Sequence, residues 1–169
     1  MPAYVAPSTR ATGYVVLATD WNVIVNDILA TRQIVGMMRR AAAQSINDSS
    51  STAISFDTQD IDDENYIDVG GAPTRLTFPR KGIYLLDVEV QFASNATGYR
   101  VLTMPRSGGA SDFTMNIMPV NGAITVLKFP LMTGERAAGD YYEFKVWQNS
   151  TGALNITARV GVSMLQDRT

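Results

Sequence analysis

The chain has 169 residues, 46% apolar and 18% charged, with a formal net charge of -2. This is enough for one well-buried domain and an appendage, and it is not the composition of a disordered chain or a basic nucleic-acid binder. Cysteine and histidine are both absent, which excludes disulfides, thiolate nucleophiles, Cys/His metal sites and imidazole acid-base catalysis.

No apolar run approaches the roughly 20 residues of a membrane helix, and no basic-then-apolar leader opens the sequence. The expectation is a soluble protein made in a cytosol, with no nucleic-acid partner, no membrane insertion and no cofactor. Residues 1–18 carry Pro2, Pro7 and Gly13 and one short apolar run from Tyr14 to Leu17. Such an arm gains order only against a partner. Thr19 or Asp20 can cap a helix that begins near Trp21 and runs to about Gln44. Along it Trp21, Ile24, Ile28, Thr31, Val35, Met38 and Ala42 recur at alternating spacings of three and four, a heptad seam with a polar insertion at Thr31. Two placements stay open for that seam. It packs on its own β domain, or it joins subunits, with Ile24, Ile28 and Val35 as contacts. The division read from the sequence is an arm and helix over 1–46, a linker over 47–52 and a β domain over 53–169.

From Ala53 onward the pattern changes to short strands, expected at 53–56, 66–69, 75–78, 82–93, 99–104, 113–120, 123–129, 140–148 and 154–165, with a tight hairpin at Asn121-Gly122. The clearest runs from Gly82. Tyr84, Leu86, Val88, Val90 and Phe92 recur with period two, while Asp87, Glu89 and Gln91 fill the other face. Two later strands repeat the pattern, with Tyr142, Phe144 and Val146 in one and Leu154, Ile156, Ala158, Val160, Val162 and Met164 in the other. These sets predict the two inner walls of an antiparallel sandwich. Tyr141 and Trp147 fall on an outward face, where aromatic side chains call for cover, and they are the expected contacts of a homotrimer.

The acidic run Asp57, Asp60, Asp62, Asp63, Glu64 and Asp68 offers a possible hard-cation site. Asp60, Asp62 and Glu64 alternate as a calcium loop begins, but Asn65 stands where that loop needs glycine and Gly71 where it needs a chelating glutamate. A solvated acidic loop is expected instead of a metal site. Serine paired with Lys81, Lys128 or Lys145 has no supporting spacing, so no catalytic residues are assigned and no enzyme is expected.

The order FPRKGIYLLDVEV, AAGDYYEFKVWQN and RVGVSML resembles the jelly roll of the C1q and tumour-necrosis-factor type, through Phe78, Gly82, Tyr84, Leu86 and Val88, then Gly139, Asp140 and Phe144, then Gly161 and Leu165. That resemblance implies a mainly β, ten-stranded jelly-roll sandwich that trimerises about a three-fold axis. The opening segment is similar to the N-terminus of small tailed-phage virion proteins, through Tyr4-Val5-Ala6-Pro7, Thr12-Gly13, Val15-Val16, Trp21-Asn22, Val25, Asp27 and Leu29. It implies attachment to a particle through Tyr4, Val5, Pro7, Tyr14, Val15, Val16 and Trp21. The phrase FASNATGYR, residues 92–100, is similar to phage-encoded C1q-like modules and implies an outward-facing knob. Together they imply a non-enzymatic bacteriophage structural protein located in the virion, a trimer bound to capsid or tail proteins as decoration or fibre. The alternative is a module that binds a host-surface glycan through residues 95–99 or 107–112. Polysaccharide cleavage, a third reading, has only the abundance of carboxylates behind it.

Overall fold

The alternation that marks the longest expected strand is what the fold is built on: Tyr84, Leu86, Val88, Val90 and Phe92 are all fully buried, and Asp87 is exposed. The structure, a computed structural model, describes residues 34–119 and 123–169. Strand β5 (Gly82–Phe92) lies between β11 (Leu154–Asp167) and β8 (Thr125–Met132). Beyond β11 come β1 (Ile34–Ile46) and β3 (Thr58–Asp62), giving a five-stranded antiparallel sheet in the order β3-β1-β11-β5-β8. Facing it are β2 (Thr52–Ala53), β10 (Lys145–Gln148), β6 (Arg100–Pro105) and β7 (Ser111–Ile117), in the order β2-β10-β6-β7. Strand β4 (Arg75–Thr77) pairs with β9 (Tyr141–Glu143), which leads directly into β10. No helix occurs among the described residues.

The apolar faces of the two sheets meet, and aromatic rings close the gaps. Phe113 of β7 stacks on Phe129 of β8 with centroids 4.0 Å apart, sealing one side. On the other side the chain leaves β2 with Ile54 and Phe56 buried, and Phe56 meets Phe144 edge-on at 5.7 Å. Tyr66, Tyr84, Phe78 and Tyr142 form a continuous row of rings, at successive centroid distances of 6.1, 4.5 and 5.8 Å. All the inward residues expected for β5, β10 and β11 lie inside.

Residues 34–44, expected as the second half of a helix, are strand. Strand β1 pairs with β11 from Ile34↔Ser163 to Ile46↔Leu154. The Arg-Arg-Ala-Ala-Ala run has high helix propensity, but propensity is worth only tenths of a kcal/mol per residue and yields to sheet pairing and burial. Period two is hidden because a one-residue irregularity between Ile34 and Gly36 buries both Val35 and Gly36, and because a second bulge between Arg40 and Gln44 puts Ala41 to Ala43 on the surface, where the Asp57 carboxylate accepts the amides of Ala41 (2.8 Å) and Ala42 (2.9 Å). Val35 is fully buried in its own sandwich, so it is not available as a subunit contact. Ile24 and Ile28, the first part of the expected helix, and the arm residues Tyr4, Val5, Pro7, Tyr14, Val15, Val16 and Trp21 lie outside the described residues, as does the Asn121-Gly122 turn.

Gly36 shows how tightly β1 is held. A Cβ there would sit 2.8 Å from Val162 Cγ1 and 3.2 Å from the Cβ of Tyr66. Gly36→Ala is therefore expected to destabilise the domain by about 1–3 kcal/mol, the usual cost of overpacking, measurable as a lowered denaturant midpoint.

The sandwich has two distinct ends. The described chain enters at Ile34, at the end where β5 begins and β11 finishes. The opposite end carries the connections over 47–51, 93–99 and 149–153, the end of β7 and the start of β8.

Candidate interaction surfaces

The acidic candidates do not converge. Asp60 takes two hydrogen bonds from Arg39, one of them at 2.6 Å, and this bonding holds its carboxyl below the ordinary range. Asp62 instead accepts the amides of Tyr66 (2.7 Å) and Ile67 (3.3 Å), turning the chain out of β3. Glu64 is bonded to Arg80, whose Nε lies 2.8 Å away. Among the described residues no three metal-ligating side chains come together. Asp60 and Asp62 belong to β3, an edge strand missed in the sequence because its side chains are acidic on an exposed margin.

Tyr141 and Trp147 do point outward from the four-stranded side, but both are half-buried. The Arg75 guanidinium lies 4.2 Å from the Tyr141 ring centroid, a cation–π contact that covers it within the chain. Trp147 lies across from Val101 of β6. The demand for cover that made them candidate contacts is met in part by the chain itself.

The outward face of the five-stranded sheet is different. Register lines up Ile34, Ser163, Leu85 and Met132 across four strands, then Met37, Gly161, Asp87 and Pro130, then Arg39, Arg159, Glu89 and Lys128. The first row is apolar but for Ser163 and partly exposed among the described residues, with Ile34 41% and Met132 68% exposed, and Leu165 nearby is 37% exposed. Ile34, Met37, Leu85 and Ser163, with the charged Asp87 and Arg159, line a hollow of about 220 Å³ there. The third row is a charge mosaic: Lys128 lies 3.2 Å from Glu89, and Arg159 reaches Asp87 at 3.8 Å and Glu89 at 3.7 Å. Hydrogen bonds from Gln91 and then Lys128 hold Glu89 below its ordinary range.

The two loops proposed for glycan contact lie at opposite ends. Residues 107–112 sit at the end where the chain enters, and their charges are internally paired. Asp112 accepts from Tyr142 Oη (2.5 Å) and Arg136 (2.7 Å), and Arg106 lies 3.4 Å away. Burial, then Asp112, raises the Tyr142 phenol well above its ordinary range. Ser107 donates to Asp140 at 2.8 Å, and Asp140 is held low first by the Ala137 amide and then by Ser107.

Residues 93–99 sit at the other end, braced from beneath by Arg100. This arginine is fully buried and donates to the carbonyls of Thr97 (2.9 Å), Tyr99 (3.0 Å) and Asn95 (3.0 Å). Burial lowers its pKa. The Tyr99 amide donates to Asn149 Oδ1 at 2.6 Å, and Gly98, at φ +76°, lies so close that a Cβ would be 2.2 Å from the Asn149 carbonyl. Gln148, also fully buried, donates to Ile46 O (3.1 Å) and Gly152 O (2.8 Å) and accepts the Ser150 amide (2.7 Å). Neither Arg100 nor Gln148 was identifiable as a brace from the sequence, because a polar residue entering or leaving a strand carries no signal of which carbonyls it will meet.

No protein-family model matches this sequence, and no curated protein matches it. Solved structures do match. The globular domain of zebrafish complement 1qA protein aligns over 80% of this chain and 100% of its own, with TM-score 0.62 at 9% identity. Eiger TNF from S. frugiperda aligns over 81% and 96%, with TM-score 0.57 at 9% identity. Vertex protein P5 of the phage PRD1 aligns over 79% and 99%, with TM-score 0.52 at 16% identity. At these identities the likeness is one of fold, and the described chain is a C1q/TNF-like antiparallel jelly roll.

Proposed function

We propose that this protein is a non-enzymatic structural component of a bacteriophage particle, made in the host cytoplasm. In this reading it is a homotrimer of jelly-roll knobs, held to capsid or tail proteins by the segment before Ile34. The observation that carries the reading is the exposure, among the described residues, of Ile34 and Met132 in one row with Leu85 on the outer face of the five-stranded sheet. Flat apolar faces of this kind mark protein–protein contact. The C1q/TNF-type resemblance supplies three-fold closure, and the charge mosaic beside the row supplies register, since like charges brought together across a contact are penalised. The phage-like opening segment and the fold shared with a phage vertex protein support the virion location.

The proposed subunit contact lies on the five-stranded face, in place of Tyr141 and Trp147, because the latter are already partly covered. Sedimentation of the full chain is expected to show three chains, and Met132→Asp to shift it to monomer while the β-rich circular dichroism spectrum is kept. A folded monomer for the native chain at micromolar concentration would sink the trimer. For the virion role, wild-type protein is expected to enter particles, and protein lacking residues 1–18 is not. Equal occupancy would rule out the arm as anchor.

A further inference from the structure

We propose that the end of the sandwich remote from Ile34 binds a neutral saccharide, an activity that goes beyond the structural role and does not depend on it. Around Tyr99 this surface is made by residues 47–51, 93–99 and 149–153, which contain one charged residue, Asp48, and one aromatic, Tyr99, the rest being Asn, Ser, Thr, Gly and Ala; the exposed Met118 (65%) and Ile124 (56%) flank it where β7 ends and β8 begins. Asp48 is itself engaged, accepting the Thr151 amide at 2.9 Å and the Ser49 hydroxyl at 3.1 Å. What remains toward solvent is a field of hydroxyl and amide groups around an aromatic ring that is 43% exposed. A polyol matches that chemistry. Its hydroxyls exchange hydrogen bonds with amides and hydroxyls, and its C–H face packs on a ring with a polar rim.

Preorganisation is the second part of the argument. Weak polar contacts give net affinity only when the binding groups are already fixed, because ordering them on contact consumes the gain. The three loops are fixed from below by two fully buried side chains, Arg100 and Gln148. They are also tied to one another, by Asn149 to Tyr99, Thr151 to Asp48, and Ser49 N to Gln148 O at 2.7 Å. Ser49 (φ +54°) and Thr151 (φ +69°) are two of the three non-glycine residues with positive φ among the described residues. A β-branched residue in that region is strained, and such strain gathers where surrounding structure imposes a geometry for use.

The test is saturation-transfer NMR on the full-length native protein, with the methyl glycosides of glucose, galactose, mannose and N-acetylglucosamine as probes at millimolar concentration. At least one glycoside is expected to receive saturation, with Tyr99→Ala weakening it about tenfold or more and Tyr99→Phe retaining it, all three proteins melting alike. No transfer to any of the four glycosides overturns the proposal, as does undiminished binding by Tyr99→Ala. Because particles play no part in the measurement, either result leaves the virion role to stand or fall on the incorporation assay.

Discussion

Replacing Tyr84 with alanine is expected to remove about 3–5 kcal/mol of stability, the range for deleting a fully buried aromatic side chain. The ring sits between Phe78 and Tyr66, at 4.5 and 6.1 Å, so its loss opens a cavity between two large rings. Its hydroxyl donates to the Arg80 carbonyl at 2.7 Å, and truncation leaves that acceptor without this partner. Asn116→Ala, on the exposed outer surface of β7, is expected to stay within about 0.5 kcal/mol of the native protein. Equilibrium unfolding in urea gives both numbers, and similar midpoints for the two variants would mean that the inner face of β5 is not the stabilising one.

Removing residues 1–46 is expected to prevent folding, whereas a chain that starts at Ile34 folds. The sequence reading placed a self-sufficient β domain from Ala53, and the pairing of β1 with β11 changes that expectation. Val35, Met38 and Ile46 are all fully buried. At about 1.5–3 kcal/mol each their burial contributes on the order of 5–9 kcal/mol, comparable with the whole stability of an ordinary domain. Their loss would also uncover the long edge of β11. Circular dichroism and a thermal melt of the two truncations would decide the matter. A cooperative transition in the chain that begins at Asn47 would show that β1 is dispensable.

The contrast between β1 and β5 shows what was legible. In β5, β10 and β11 one face meets the core along the whole strand, so the pleat writes itself into the sequence as strict alternation. In β1 only Val35, Met38 and Ile46 among the large apolar residues are buried; the irregularity between Ile34 and Gly36 breaks the phase between Val35 and Met38, and the bulge at Ala41 to Ala43 interrupts the pattern before Ile46. The residue spacing that remains imitates a helix. Gly36, where the backbone must approach Val162, was the available sign against a helix. Strand β3 was hidden by Asp60 and Asp62, whose acidity serves an exposed margin and resembles a cation loop. Residues 95–99 were recognisable as a candidate glycan contact through the resemblance of FASNATGYR to phage-encoded C1q-like modules, whereas the adjacency of 47–51 and 149–153 depends on pairings remote in sequence. The row Ile34, Leu85 and Met132 unites three segments that are remote in sequence, so only register reveals it.

The two margins of the five-stranded sheet bear on how copies of this chain can add to one another. At one margin β3 presents Asp60 and Asp62, and at the other β8 presents Pro130, which has no amide hydrogen to give to an incoming strand. Neither margin favours a further strand from another molecule, so the indefinite strand-by-strand growth that ends in fibrils is obstructed at both sides. For this sheet, association is left to its broad face, where geometry can close a small ring and then stop. The five-stranded sheet therefore carries, in three side chains at its margins, a safeguard against polymerising edge to edge.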